Sequence, residues 1–187
     1  MKKEVRILGI DDSSFSKFDD KEVLGIGVVF RGGEYIDGVL STHIMVDELD
    51  STDKLIEMVN KSRNKDQLQY IMTDGIALGG FNVIDINRLY EETSLPIIVI
   101  IRKKPDFDSI YSALENLKHK EKIKELLDRA GELKIFKEIY FQCAGIDSEE
   151  AKKLLKMTIK HGLIPEPIRV AHIIAQGIGL GESKGRA

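Results

Sequence analysis

Residues 96–101, Pro-Ile-Ile-Val-Ile-Ile, form an unbroken apolar run of strand length. A strand with no polar face must be buried on both sides. The segments flanking it, residues 85–93 and 108–129, carry apolar side chains at helical spacing among many charges, so helices are available to cover a sheet on both faces. Such a strand belongs to an α/β fold, and the helical connections predict that its neighbours run parallel to it.

The chain before it reads differently. Residues 5–10 form a short apolar strand ending at Asp11-Asp12, and a polar turn follows. Residues 23–30 are β-branched and close on Arg31-Gly32-Gly33, a hairpin signal, before a third strand at 35–45. Three strands joined by tight turns predict an antiparallel meander. A helix with Leu55, Ile56 and Val59 on one face follows, capped by Ser51 or Thr52. Residues 68–72 then form a strand leading into Asp74-Gly75, and residues 134–143 one further strand. Ser148 caps a helix reaching about Lys160, and Pro165-Glu166-Pro167 opens a last helix over 168–176, with a flexible tail from about 177. The order β-β-β-α-β-α-β, then helices, is the ribonuclease H-like order: a mixed sheet, the meander plus parallel strands, flanked by helices. With 187 residues and no linker or repeat, the expectation is a single domain over 1–187.

No apolar run approaches the roughly 20 residues that span a bilayer. The opening Met1-Lys2-Lys3-Glu4 is not followed by a signal-peptide core, which predicts a cytoplasmic protein without a membrane partner. The one cysteine, Cys143, lies in an apolar run and reads as a buried, inert thiol. A net charge of −3 makes the whole molecule no general polyanion binder. Acidic residues nevertheless prevail in the first fifty positions, and residues 102–137 carry a modest basic excess. An acidic metal site beside a basic rim would produce this pattern.

Asp11, Asp12 and Asp74 stand at the ends of inferred strands, and strand ends are where α/β sheets open crevices. Clustered carboxylates repel one another unless a cation joins them, and Mg²⁺ or Mn²⁺ is the natural occupant. Such ions activate water for phosphodiester cleavage. The glycine-rich stretch Gly75 to Asn82, with Gly79 and Gly80, could instead offer backbone N–H groups to a phosphate.

These motifs carry a resemblance. Leu8-Gly9-Ile10-Asp11 resembles the first-strand motif of endonuclease V, Tyr70-Ile71-Met72-Thr73-Asp74-Gly75 its second, and Leu95-Pro96-Ile97-Ile98 its following Pro-led strand. Most specific is Ile164-Pro165-Glu166-Pro167-Ile168-Arg169-Val170-Ala171-His172, similar to that family's C-terminal histidine segment. Arg31-Gly32-Gly33 and Gly79-Gly80-Phe81-Asn82-Val83-Ile84-Asp85 fit more closely still the archaeal domain of unknown function 99, itself endonuclease V-like.

The resemblance implies metal ligands at Asp11 and Asp74, with Asp12 as an alternative to Asp11, and a third at Asp53, where endonuclease V has a glutamate. It implies an active-site role for His172 and places Arg102 near the family's lysine. Two features depart from it. The Pro-Tyr-Ile-Pro wedge has no counterpart at 42–50, and the His-Pro-Arg after Asp-Gly is replaced by Leu78-Gly79-Gly80-Phe81-Asn82. Recognition of a deaminated base by those elements is therefore not implied. Three readings follow: a Mg²⁺- or Mn²⁺-dependent nuclease acting on DNA or RNA; a non-catalytic nucleic-acid-binding relative; and a nucleotide or small-molecule binder using the same crevice. Oligomeric state is not legible.

Overall fold

A computed structural model describes residues 4–16 and 19–184; the opening Met1-Lys2-Lys3 and the last three tail residues lie outside them. The meander is formed by β1 (Arg6–Asp12), β2 (Glu22–Arg31) and β3 (Tyr35–Met45). Helix α1 (Ser51–Asn60) leads to β4 (Tyr70–Asp74). A two-residue-per-strand hairpin, β5 (Ala77–Leu78) and β6 (Asn82–Val83), precedes α2 (Ile86–Thr93) and β7 (Ile97–Ile101). After α3 (Phe107–Leu114) and α4 (Lys120–Arg129) come β8 (Lys134–Phe136), β9 (Ile139–Ala144), α5 (Ser148–Thr158) and α6 (Glu166–Leu180).

Seven strands share one mixed sheet in the order β3-β2-β1-β4-β7-β9-β8. Strand β1 pairs antiparallel with β2 and parallel with β4, and β4 pairs parallel with β7. The expected fold class stands, with β1, β4 and β7 at its centre. Alternation along these strands divides the core in two. Leu8, Ile10, Ile71, Ile97 and Val99 face a cluster completed by Leu55, Val59 and Leu89 of α1 and α2. Ile7, Met72, Ile98 and Ile100 face the opposite layer, built by Leu154 and Leu155 of α5 and Ile168 of α6. Among the described residues no helix is long and apolar enough to cross a membrane.

Several local expectations are corrected. The segment 134–143 is a hairpin, β8 and β9, turning at Lys137 with a positive φ of 54°. Strand β9 runs antiparallel to β7. The long helix at 108–129 is broken at 115–119, so that Leu114 of α3 and Ile123 and Leu126 of α4 converge on Val83 of the small hairpin. An unbroken helix would carry them apart. The N-cap of α1 is Asp50 and that of α5 is Asp147, whose carboxylate accepts the Glu149 and Glu150 N–H groups. Helix α6 continues past Gln176 to Leu180. Cys143 is half-buried, with Sγ 3.5 Å from the Ile146 carbonyl oxygen.

Candidate functional site

The parity that divides the core also builds the site. Ile10 of β1 pairs with Thr73 of β4, so Asp11 and Asp74 follow at the same level on adjacent parallel strands. Counting by two from Ile7 and Met72 puts both aspartates on the α6 face, and from Ile100 the same count leads to Arg102. Helix α6 crosses this face at unusually short range. A Cβ on Gly9 would lie 2.3 Å from the Pro167 carbonyl oxygen, so only glycine lets the helix approach. From that anchor His172 reaches the end of β1, with Nδ1 2.7 Å from Asp11 Oδ2.

One ligand atom each of Asp11, Asp74 and His172 lies within 4.8 Å of the others. Asp11 is 5% exposed. Burial first, then the Asp74 and Asp12 carboxylates, push its pKa up to about 8. Burial first, then Arg102, hold His172 below the usual imidazole range. An Arg102 guanidinium pairs bidentately with Asp74, Nε donating to Oδ1 at 3.2 Å and Nη2 to Oδ2. Two carboxylates and an imidazole converging in a cleft of about 360 Å³ fit Mg²⁺ or Mn²⁺, with room for water to complete the coordination. The Asp11 carboxyl, held protonated to unusually high pH by burial first and then by Asp74 and Asp12, is what such a group does without a cation.

The structure separates residues that the sequence left together. Asp12, the alternative to Asp11, points to the other face, where its Oδ2 accepts the Gly79 N–H at 2.7 Å. Asp53 is not in the cluster: it lies in the first turn of α1, 60% exposed, accepting from Arg88 Nη2 at 2.6 Å. Its spacing from Asp74 matched, but α1 lies on the sheet face opposite α6. The phosphate cradle expected of the glycine-rich stretch is also corrected. Gly79 is held by Asp12, and the Gly75 N–H donates to the Ile100 carbonyl oxygen at 2.8 Å. Asn82 is fully buried, its Oδ1 accepting the Ser51 N–H and its Nδ2 donating to the Met45 carbonyl oxygen. It ties the hairpin to the start of α1. Gly80 packs so tightly that an added Cβ would meet Asp47 Oδ1 at 2.3 Å.

Ser13, Ser14, Phe15 and Gln176 line the cleft and were not singled out by sequence. Gln176 alone had a signal, since it stands one helical turn beyond His172.

An α/β sheet in this order, with a carboxylate pair closing its central parallel strands, is ribonuclease H-like, and its fold is that of endonuclease V. The crystal structure of endonuclease V from Ciona intestinalis, in complex with a 24mer DNA containing an inosine followed by a ribo-adenosine, is similar to this chain with a TM-score of 0.57 at 18% identity, covering 90% of this chain and 83% of that one. More particularly, the chain belongs to the Endonuclease dU family, whose profile matches residues 3–179. A UPF0215 protein of Methanopyrus kandleri is 48% identical over 100% of this chain and 98% of its own length. A crystal structure from Archaeoglobus fulgidus, described as a protein of unknown function, has a TM-score of 0.87 at 44% identity, covering 94% of this chain and 98% of that one. The resemblance to an archaeal, endonuclease V-related family is thus borne out.

Proposed function

We propose that the protein is a divalent-metal-dependent endonuclease that hydrolyses phosphodiesters of DNA, with Mg²⁺ or Mn²⁺ held by Asp11, Asp74 and His172. The observation that carries this reading is the buried Asp11 carboxyl, packed against Asp74 and His172 within ligand distance of one another. When bound, the ion supplies a nucleophilic water at neutral pH and positive charge against the phosphoryl oxygens. The chain supplies position and charge. Asp11 fixes the His172 ring through Nδ1, which leaves Nε2 available to an ion or a water. Arg102, held by Asp74, presents a planar cation suited to a phosphate oxygen. The name of the family, Endonuclease dU, directs the substrate toward deoxyuridine in DNA.

One observation favours a second reading, a scaffold that binds nucleic acid without cutting it: Arg102 already neutralises Asp74. Calorimetric titration with Mn²⁺ on the wild type and Asp74→Ala separates the two. Binding that disappears in the variant, together with Mn²⁺-dependent nicking of a dU-containing duplex, is expected. Binding of the duplex with no Mn²⁺ uptake would leave the scaffold reading standing.

A further inference from the structure

The two edges of the large sheet are built differently. Strand β8 is three residues long, carries Lys134 and is followed by Lys137. Short length and lysines guard an edge against pairing with another chain. Strand β3, at the other edge, has eleven residues. Its stretch 38–45, Gly-Val-Leu-Ser-Thr-His-Ile-Met, holds no lysine, arginine, carboxylate or proline. Tyr35, Ile36, Val39 and Met45 on this strand are 40–65% exposed, an apolar edge of the kind that marks an interaction surface.

Hydrogen-bond parity locates the open part. The Val46 N–H donates to the Lys21 carbonyl oxygen, on the β2 side. Ile44, Thr42 and Leu40 follow it by alternation, so Val39, Ser41, His43 and Met45 turn their backbone groups outward. Met45 is satisfied within the chain: its N–H donates to Asp50 Oδ1 at 3.1 Å, and its carbonyl oxygen accepts from Asn82 Nδ2 at 2.8 Å. At the other end Asp37 is the extra residue of a bulge, held by Arg6 and Arg31. Val39, Ser41 and His43 remain, a set centred on Ser41.

We infer that this edge pairs with the same edge of a second copy, antiparallel about a two-fold axis at Ser41. Ser41 then faces Ser41, and Val39 faces His43, each as a hydrogen-bonded pair, so the outward N–H and C=O groups of all three residues find partners. Past the bulge, Ile36 comes beside the second copy's Met45, apolar against apolar. A two-fold contact must be self-complementary, and the charges meet that demand. The strand stretch itself carries none, so the net charge of −3 does not oppose its pairing. Beside it, Glu57, Met58 and Lys61 of α1 line a groove of about 350 Å³ with Leu40, Ser41 and Thr42. Glu57 and Lys61 are exposed and pair with each other in the single chain. Reversal about the axis sets Glu57 against the second copy's Lys61, and Lys61 against its Glu57.

The same register links the two clefts. Ser41 pairs with Ile26, and Ile26 with Asp11, so the axis residue and the buried aspartate stand in one row across the sheet. In the pair the two Asp11 residues are five strand spacings apart, about 24 Å. A two-fold axis perpendicular to the sheet turns both clefts to the same face.

Sedimentation equilibrium on the full chain, from about 1 to about 100 μM, tests this. The wild type is expected to move from one chain mass toward two across that range. Ser41→Lys sets two ammonium groups opposite each other on the axis and should weaken association severalfold or more. Ser41 is exposed, so the variant should melt as the wild type does. Glu57→Lys should also weaken association, and Glu57→Lys combined with Lys61→Glu should restore it, which a merely structural role for either residue would not produce. A pair whose strength neither Ser41→Lys nor Glu57→Lys changes overturns the inference. So does a wild type that remains one chain at about 100 μM, a result that leaves the β3 edge to a different protein.

Discussion

Asp11 is the buried carboxyl of the candidate site. Its pKa lies at about 8 against an ordinary 3.8, raised first by burial and then by Asp74 and Asp12. Between those values the native state holds a proton that the unfolded chain has released, so stability falls as pH rises through the window. A divalent cation favours the carboxylate and opposes that fall. Thermal melting of metal-free protein should therefore show a decreasing Tm from about pH 5 to about pH 8, and the increase in Tm on adding Mg²⁺ should grow with pH. A metal-induced increase that is flat across this range would contradict a ligand role for Asp11. By contrast, Asp53→Ala should leave Mn²⁺ affinity unchanged, because Asp53 is an exposed partner of Arg88; calorimetry on that variant checks the separation. Asp12 sits next to Asp11 in the chain yet does different work, holding Gly79. Chain neighbours in a strand point to opposite faces, and the sequence alone left open which of the two faced α6.

Among the elements, the pairing of β1 with α6 governs whether a site exists at all. Gly9 is the contact point, with no space for a methyl group beside Pro167. Gly9→Ala should lower stability by roughly 1–3 kcal/mol, the range for overpacking a close contact, measured by urea unfolding. It should also weaken Mn²⁺ binding by displacing His172. Legibility in the sequence followed the same division. The apolar run at 96–101, the meander and the closing Pro-Glu-Pro helix were readable because period and turn chemistry agree there. Asp11, Asp74 and His172 were readable as motif residues, two of them at strand ends. The hairpin β5–β6, the break between α3 and α4, and the split of 134–143 were not, because each is decided by packing of residues distant in sequence. Leu114, Ile123 and Leu126 look like one amphipathic stripe until Val83 is seen between them. Asp53 misled for the converse reason: spacing along the chain says nothing about which layer a helix joins.

At the scale of the whole molecule, a net charge of −3 would limit how the proposed DNA substrate is held. Contact would then come from local cations such as Arg102-Lys103-Lys104 after β7, of which Arg102 pairs with Asp74 in the cleft. Affinity for a mixed-sequence duplex should fall with salt with a log–log slope of only about −3, as three neutralised phosphates require. A much steeper slope would mean that other surfaces take part. The Arg102–Asp74 pair gives this charge balance a further meaning. On the proposed reading Arg102 is an internal counter-ion: it occupies Asp74, and an ion at Asp74 would set it free for a phosphate. Metal and DNA then each remove an obstacle to the other. By reciprocity, DNA must tighten metal binding by the same factor by which metal tightens DNA binding. On the proposed endonuclease reading, the free protein would hold its ion weakly, and the reacting assembly would form only where metal and DNA are both present.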